Sequence, residues 1–169
     1  MMKIIPVLTL FLLLTFSLKS QEKGSTSSIN KLVSTIPGID RSELIAFAKQ
    51  YIGTPYHYGC ADPKKGFDCS GFVNFVFRHF NLIVPRISRE YKALGTALKP
   101  EDFKVGDVLV YYSFKDRRHI GHVGIICEAD GMNSRFIHAS SGRVHKVTIS
   151  DLSSEGYSGH FYKCIDVIQ

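Results

Sequence analysis

The arrangement of apolar residues changes near the middle of this 169-residue chain. Beyond Pro100, short runs of β-branched and aromatic residues are separated by Gly, Asp, Asn and Ser, which is typical of strands joined by turns. The predicted strands cover residues 108–112, 122–128, 135–139, 143–149 and 161–167. Before Pro100, apolar residues recur at helical spacing instead. This segregation predicts an α+β fold in which N-terminal helices pack on one face of an antiparallel β-sheet of about five to six strands.

Three helices are predicted in the first half of the folded region. The first begins at Asp40, in a capping box, and runs to about Ile52. The second begins at Asp68 and has a wide apolar face, which predicts a central, buried helix. The third is shorter, with Ser88 as its N-cap, and runs to about Leu94.

The N-terminal region differs in composition from the rest of the chain. Residues 1–20 combine a basic start, an apolar run and a small-residue end, which predicts a secretory signal peptide. The run is shorter than the roughly 20 residues that a membrane span needs. Residues 21–40 are rich in Ser, Thr, Lys and Gly and predict a flexible linker, which leaves 41–169 as the folded domain. We therefore expect a secreted or periplasmic protein without stable membrane insertion after signal removal.

The charge balance restricts the partners only weakly. Lys and Arg number 21 against 15 Asp and Glu, for a net charge of +6. A basic balance favours anionic partners, but these charges are spread thinly and fall in predicted loops. We interpret them as a solvated surface and expect no nucleic-acid partner. A monomer is the expected state.

The chain has four cysteines, at positions 60, 69, 127 and 164. Their spacings match no zinc-binding pattern, and we expect neither a metal nor another cofactor. Export to an oxidising compartment would allow one or two disulfides. Cys127 and Cys164 both fall in predicted strands and could pair.

Cys69 is the strongest candidate for a reactive group. It follows Asp68 at the start of the central helix. The free N–H groups and partial positive charge of a helix N-terminus stabilise a thiolate, so we expect the pKa of this thiol to lie below its ordinary value. The alternative is that Cys69 serves as a small buried apolar residue.

A nucleophilic cysteine needs a base, and the base needs an orienting group. His122 begins one predicted strand and His138 lies in another. Neighbouring antiparallel strands could bring both to one edge of the sheet, where one ring would face the sulfur and the other would hold its Nδ1–H. The remaining histidines are interpreted as surface or core residues, and His119 is the most credible substitute base.

Six motifs in a fixed order resemble those of the NlpC-type family of cell-wall peptidases, which are papain-like cysteine peptidases. The resemblance extends over about residues 41–166. The motifs occupy residues 53–60 (GTPYHYGC), 67–72 (FDCSGF), 85–88 (PRIS), 106–107 (GD), 122–126 (HVGII) and 137–139 (IHA). One departure is Cys60, which replaces a family glycine. A cysteine would be strained there if the site requires a positive φ, and it could be oxidised against Cys69.

The resemblance implies a papain-like fold and a Cys-His-His triad. In that assignment Cys69 is the nucleophile that forms a thioester acyl-enzyme, His122 is the general base and His138 orients His122. Tyr56 occupies the position from which the family's tyrosine donates its hydroxyl towards the oxyanion, together with the backbone N–H of Cys69.

The resemblance also implies a substrate. The family hydrolyses peptidoglycan stem peptides, most commonly between γ-D-glutamyl and diaminopimelate or lysine. Asp68 and Ser88 match positions that contact the amino end of the substrate. Arg86 either pairs with a substrate carboxylate or braces its own loop.

Three other functions remain open at this point. One is a related thiol amidase or acyltransferase that acts on another amide or ester. The second is an inactive wall-binding module. The third is a metalloprotein with His and Cys ligands, which no ligand spacing in the sequence supports.

Overall fold

The structure of the protein is a computed structural model that describes residues 38–168. The predicted signal peptide (1–20) and most of the predicted linker (21–40) lie outside the described residues. Within the described part of the chain, no helix is both long and apolar enough to cross a bilayer.

Two α-helices form the first layer of the domain. Helix α1 spans Arg41–Lys49, and the Asp40 carboxylate caps it by accepting hydrogen bonds from two backbone N–H groups of its first turn. Helix α2 spans Cys69–His79 and begins directly after Asp68. Both predicted starts are confirmed, while α1 ends three residues before the predicted Ile52 because a turn begins at Gln50.

The predicted third α-helix is wrong in type. Ser88–Lys92 forms a 3₁₀-helix whose N-cap is Ile87, so Ser88 does not cap it. Tertiary contacts hold this segment: the buried Tyr91 donates its hydroxyl proton to the Pro85 carbonyl at 3.0 Å. Short segments of this kind follow their packing rather than their intrinsic helical propensity.

A five-stranded antiparallel sheet forms the second layer, in the order β6-β5-β4-β3-β7. A separate pair of two-residue strands, β1 and β2, precedes α2. The strands are β1 (Ala61–Asp62), β2 (Gly66–Phe67), β3 (Val108–Tyr112), β4 (Ile120–Glu128), β5 (Arg135–Ala139), β6 (Val147–Asp151) and β7 (Phe161–Ile165). The α+β prediction with about five strands is confirmed.

The predicted strand at residues 143–149 lies too early in the chain. Residues 140–146 instead form the connection between β5 and β6. The backbone N–H of Ser140 donates to the Lys146 carbonyl at 3.0 Å, and His145 adopts a left-handed φ of 49°. The sequence predicts the strand too early because Val144, which belongs to this turn, continues the β-branched pattern of residues 147–149.

The two faces of the sheet bury different clusters. One face packs on α1 and α2 through residues such as Val110, Val123 and Ile125, and the other holds Leu109, Tyr111 and Phe136. Cys127 belongs to the first cluster and Cys164 to the second. The disulfide that Cys127 and Cys164 could have formed is absent, because the sheet lies between them. All four cysteines, which fall within residues 38–168, are free thiols.

Arg41 joins the first helix to one end of the neighbouring strands β3 and β7. Its Nη1 lies 2.8 Å from the fully buried Asp107 carboxylate, and its Nη2 lies 2.7 Å from both oxygens of Asp166. The same guanidinium donates to the carbonyls of Val105 and Ile168. One side chain thus ties α1, the turn before β3 and the segment after β7 together.

Candidate active site

Cys69 is the first residue of α2 and lies at the wall of an open cleft of about 390 Å³. Its Sγ is 3.8 Å from the carbonyl oxygen of Gly121 on β4. The thiol is therefore at the junction between the central helix and the sheet. Four other predicted site residues line the same cleft: Tyr56, Asp68, Arg86 and Ser88.

The start of α2 is packed tightly against the preceding loop. A Cβ at Gly71 would overlap the carbonyl oxygen of Cys60, which also accepts the Asp68 backbone N–H at 2.9 Å. Positive φ occurs at Gly59 (74°) and not at Cys60. The strain considered for Cys60 is therefore absent, because the neighbouring glycine adopts the left-handed conformation.

Arg86 and Asp68 form a two-point ion pair beside Cys69. Arg86 Nη1 and Nη2 lie 2.9 Å and 3.0 Å from the two carboxylate oxygens of Asp68. Oδ1 of Asp68 also accepts the Gly71 backbone N–H at 2.6 Å, which caps α2. Of the two alternatives for Arg86, the geometry supports bracing of the loop through Asp68.

His122 and His138 meet through their ring nitrogens. His122 Nε2 lies 2.8 Å from His138 Nδ1, and both side chains are buried. The approach requires glycine at position 124, since a Cβ there would lie 2.5 Å from the Phe136 ring and 3.1 Å from His138 Cβ. The predicted contact between the two histidines is present, but it uses Nε2 of His122 and not the predicted Nδ1.

The second imidazole has further partners that sequence reasoning missed. His138 Nε2 lies 3.0 Å from Ser150 Oγ on β6 and 3.3 Å from the Tyr157 hydroxyl. Tyr157 belongs to a four-residue helix, α3 (Glu155–Ser158), between β6 and β7. The sequence signal for Ser150 is the pattern of polar residues in β6. Ser150 lies two residues beyond Thr148, the register partner of His138.

One set of tautomers satisfies these contacts and leaves His122 able to act as a base. When His138 Nε2 carries a proton for Ser150 or Tyr157, its Nδ1 accepts the Nε2–H of His122. His122 then presents an unprotonated Nδ1, which is the atom able to receive a proton. We adopt this set because it is the one in which His122 can act as a base.

The environment of Cys69 disfavours the thiolate in the free protein. Burial raises the pKa of Cys69 to about 11, and the nearby Asp68 carboxylate acts in the same direction. Backbone N–H groups, including that of Ser70, lower the pKa but do not offset burial. The expectation of a lowered thiol pKa is wrong because the sulfur is removed from water and the nearby Asp68 carboxylate repels a second negative charge.

Burial also keeps both histidines neutral. It lowers the pKa of His122 from 6.5 to about 4, and it lowers the pKa of His138, with a smaller contribution from His122. The site near neutral pH therefore contains a thiol and two neutral imidazoles. A neutral imidazole is competent to accept a proton.

Tyr56 remains a hydrogen-bond donor in this site. Burial raises the pKa of its hydroxyl to about 12, with further contributions from Cys69 and Asp68. The Tyr56 backbone is held by the connection between β5 and β6, through an N–H bond of 3.0 Å to the His145 carbonyl. By contrast, His119 is 72% exposed and lies beside Asp116, which does not support it as a substitute base.

Within residues 38–168, no three His, Cys, Asp or Glu side chains converge into a group that could hold a metal ion. The chemistry of the site is that of a thiol, imidazoles and hydroxyls. A cysteine at the start of a central helix, packed on an antiparallel sheet that carries a histidine pair, is the arrangement of papain-like cysteine peptidases.

Comparison with known proteins identifies the family within that class. The NlpC/P60 family profile matches residues 53–166, and the chain belongs to this family. The gamma-DL-glutamyl hydrolase of Bacillus subtilis strain 168 is 43% identical over 109 residues, which are 64% of this chain and 25% of the relative. The probable endopeptidase NlpC of Escherichia coli K12 is 37% identical over 92 residues, or 54% of this chain and 56% of the relative.

A solved structure confirms the fold. The crystal structure of an NlpC/P60 family protein from Bacillus cereus ATCC 10987 aligns with a TM-score of 0.69 and 25% identity. The alignment covers 79% of this chain and 42% of that one. This chain thus matches between a quarter and about half of the length of these three proteins.

Proposed function

We propose that this chain is a secreted cysteine peptidase that hydrolyses peptidoglycan stem peptides, at the bond between γ-D-glutamyl and diaminopimelate or lysine. The observation that carries the proposal is a pair of contacts. Cys69 Sγ lies 3.8 Å from the carbonyl oxygen of Gly121, the residue before His122, and Nε2 of His122 lies 2.8 Å from Nδ1 of His138. The names of the Bacillus and Escherichia relatives support a γ-glutamyl bond and endopeptidase activity.

The proposed reaction begins with proton transfer from the Cys69 thiol to Nδ1 of His122 as the sulfur attacks the substrate carbonyl. Because thiol and imidazole are both neutral beforehand, the transfer accompanies the attack. His138 accepts the Nε2–H of His122 and thereby stabilises the imidazolium that forms.

The developing oxyanion accepts hydrogen bonds from the Tyr56 hydroxyl and the Cys69 backbone N–H. Donors that are already in position stabilise the transition state more than the ground state, because they need no reorganisation. The imidazolium of His122 then protonates the leaving nitrogen, and an amine departs. Water, deprotonated by the same imidazole, hydrolyses the thioester and restores the Cys69 thiol.

The acyl portion of the substrate is proposed to lie in the cleft beside Asp68, Arg86 and Ser88. Oδ1 of Asp68 already accepts three hydrogen bonds, whereas Oδ2 accepts one, from Arg86, and retains acceptor capacity. We assign Oδ2 and the Ser88 hydroxyl to the substrate's amino end. Arg86 holds the Asp68 carboxylate in position.

The location of the enzyme is part of the same proposal. The predicted signal peptide at 1–20 would deliver the domain to the compartment that contains peptidoglycan. The predicted flexible linker at 21–40 would lie between the signal peptide and the folded domain. The proposed active form is a monomer.

The test is mass spectrometry of defined stem peptides incubated with the purified protein. We expect cleavage directly after γ-D-glutamyl, and we expect its loss in Cys69→Ala and Cys69→Ser, which remove the thiol and keep the packing. Cys60→Ala is the matched control, since it removes a second cysteine thiol, which is partly exposed and lies outside the proposed triad, and should retain activity.

Other outcomes of this test identify the alternatives. Cleavage of a different amide or ester that still requires Cys69 would replace the proposal with a related thiol amidase or acyltransferase. Binding of stem peptides without cleavage would indicate a wall-binding module. Cleavage that survives Cys69→Ala would refute the nucleophile.

A further inference from the structure

A second cavity lies next to the candidate active-site cleft and shares the strand that carries His122. Gly121 lines the cleft that contains Cys69, while the next residue, His122, lines a cavity of about 350 Å³. The other residues around this cavity are Phe114, Ser140, Ser141, Gly142 and Tyr157. The nucleophile and the proposed base therefore open onto different cavities.

This division has a chemical consequence in an acyl-transfer reaction. The acyl carbon becomes bonded to Cys69 Sγ, so the acyl portion stays in the first cleft. The leaving nitrogen must take its proton from His122, so the released portion must lie beside that imidazole. We propose that the second cavity is the leaving-group site and that it binds an amino acid residue through its carboxylate. This inference rests on the proposed function.

The walls of the cavity suit an amino acid with an aliphatic chain. Phe114 and Tyr157 form one wall, with ring centroids 5.7 Å apart in an edge-to-face arrangement. Phe114 is 49% exposed, so its ring is accessible to a ligand in this cavity. Ser140 and Ser141 supply hydroxyls on the remaining wall, and the Ser141 backbone N–H can join them, whereas the N–H groups of Ser140 and Gly142 already donate to Lys146 O and Ser140 Oγ. Such hydroxyl and N–H groups bind carboxylates.

The charge around the cavity favours an anion. The loop that follows Phe114 carries Lys115, Arg117 and Arg118 against Asp116, which pairs with Arg118 at 2.9 Å. Helix α3, which carries Tyr157, adds one carboxylate in its first turn, Glu155. The net charge of these flanking segments stays positive.

The connection between β5 and β6 adds to this positive charge. Residues 140–146 contain Arg143 and Lys146 and no acidic residue. Neither of these two cations has an ion-pair partner in the part of the chain that the structure describes. Both therefore contribute uncompensated positive charge to the connection that lines the cavity.

The same connection allows a clean test, because Gly142 tolerates a side chain. A Cβ at this position would meet only the Ser140 hydroxyl, at an ordinary distance of 3.5 Å, and the backbone is not in the left-handed region. Gly142→Ala and Gly142→Leu therefore fill the cavity in steps without backbone strain. Val144→Leu is the matched control, since Val144 is an exposed residue of the same connection outside the cavity lining.

The experiment compares three substrates with one acyl portion, L-Ala-γ-D-Glu. The first is its amide with L-lysine, the second its amide with L-lysinamide, and the third its p-nitrophenyl ester. Nitrophenolate departs without a proton from His122 and carries no carboxylate, so its release needs neither the protonation nor the carboxylate binding proposed for the cavity. The ratio of amide to ester kcat/KM therefore measures the contribution of these two interactions.

We expect Gly142→Leu to lower the ratio of amide to ester kcat/KM at least tenfold, with a smaller effect of Gly142→Ala and none of Val144→Leu. We expect the wild-type protein to prefer the L-lysine amide over the L-lysinamide amide. Arg143→Gln should reduce that preference, and added salt should do the same.

Specific results would overturn the inference. One is that Gly142→Leu reduces amide and ester cleavage equally, and another is that the wild-type protein cleaves the two amides at equal rates. Either result would contradict the leaving-group site and leave the proposed peptidase function intact. Ester cleavage without any amide cleavage would keep a thiol acyl-transfer enzyme and also overturn the site. If the wild-type protein cleaves none of the three substrates, the result contradicts the proposed function itself, and the leaving-group site, which rests on that function, is rejected with it.

Discussion

Nε2 of His122 lies 2.8 Å from Nδ1 of His138, and both rings are buried among aromatic side chains. The contact determines which nitrogen of His122 remains free, and it leaves Nδ1 as the proton acceptor. Ser150 and Tyr157 extend the network from the far side of His138. The orientation of the proposed base thus depends on three elements of the fold, β4, β5 and the segment that begins at β6.

Replacing His138 tests this orienting role. We expect His138→Ala to lower kcat about 10²-fold with little change in KM, because proton transfer by a positioned group contributes about 10²–10⁴-fold. His138→Asn and His138→Gln should recover part of the loss, since an amide oxygen can accept the Nε2–H of His122. Steady-state kinetics on a stem peptide measure both parameters.

A merely structural role for His138 would give a different result. In that case Asn and Gln would not restore kcat, and the loss would follow the loss of folded protein seen by circular dichroism. Ser150→Ala serves as a milder companion, because the Tyr157 hydroxyl still contacts His138 Nε2.

The pH dependence of activity follows from the buried state of His122. Burial lowers the pKa of His122 from 6.5 to about 4, and only the neutral ring can accept the thiol proton. We expect kcat/KM to stay high as the pH falls below 6.5 and to decline towards pH 4, where the ring becomes protonated. An acid limb centred at pH 6.5 or above would contradict this prediction.

Alkylation of the free protein by iodoacetamide gives the complementary measurement for Cys69. Burial raises the pKa of the thiol to about 11, so the thiolate fraction, and with it the alkylation rate, should rise steadily from neutral pH towards pH 11. A rate that is already constant at neutral pH would instead show a thiolate–imidazolium pair before substrate binds.

Removal of the Tyr56 hydroxyl tests the oxyanion donor. We expect Tyr56→Phe to lower kcat about 10²-fold, in the range measured for loss of one such donor, with KM nearly unchanged. Tyr162→Phe is the control, because this tyrosine packs on Tyr112 in the sheet, away from the cleft. Equal kcat values for Tyr56→Phe and the wild-type protein would exclude the assignment.

Arg41 should be a determinant of stability rather than of activity. Arg41→Ala leaves the fully buried Asp107 carboxylate without its ionic partner, and such losses cost about 3 kcal/mol in the free energy of unfolding. For a domain of this size the melting temperature should fall by about 10 °C. Calorimetry measures this change, and an unaltered melting temperature would show that the ion pairs of Arg41 contribute nothing net.

Arg41→Lys separates charge from geometry. A lysine keeps the positive charge but cannot bind Asp107, Asp166 and two carbonyls at once, so we expect an intermediate melting temperature. Catalysis at low temperature should match the wild-type protein in both Arg41 variants, since Arg41 does not line the cleft.

Local patterns in the sequence were sufficient to predict the elements and the family. Apolar periodicity predicted three helices before a set of short strands, and two of the three are α-helices. The capping box at Asp40 and the position of Asp68 predicted where these two begin. The motifs around Cys69, His122 and His138 predicted the NlpC-type family, which the family match confirms. These signals work because helix caps, strand alternation and motif spacing depend on residues close together in the chain.

Only the tertiary structure decided which atoms meet and what the burial does to them. Strand register brings Nε2 of His122, and not Nδ1, to His138, and the sheet separates Cys127 from Cys164. The raised pKa of Cys69 depends on removal of its sulfur from water and on Asp68, which the sequence presents only as a cap. Desolvation and contacts between distant strands have no local sequence pattern, because they arise from the packing of whole layers against each other.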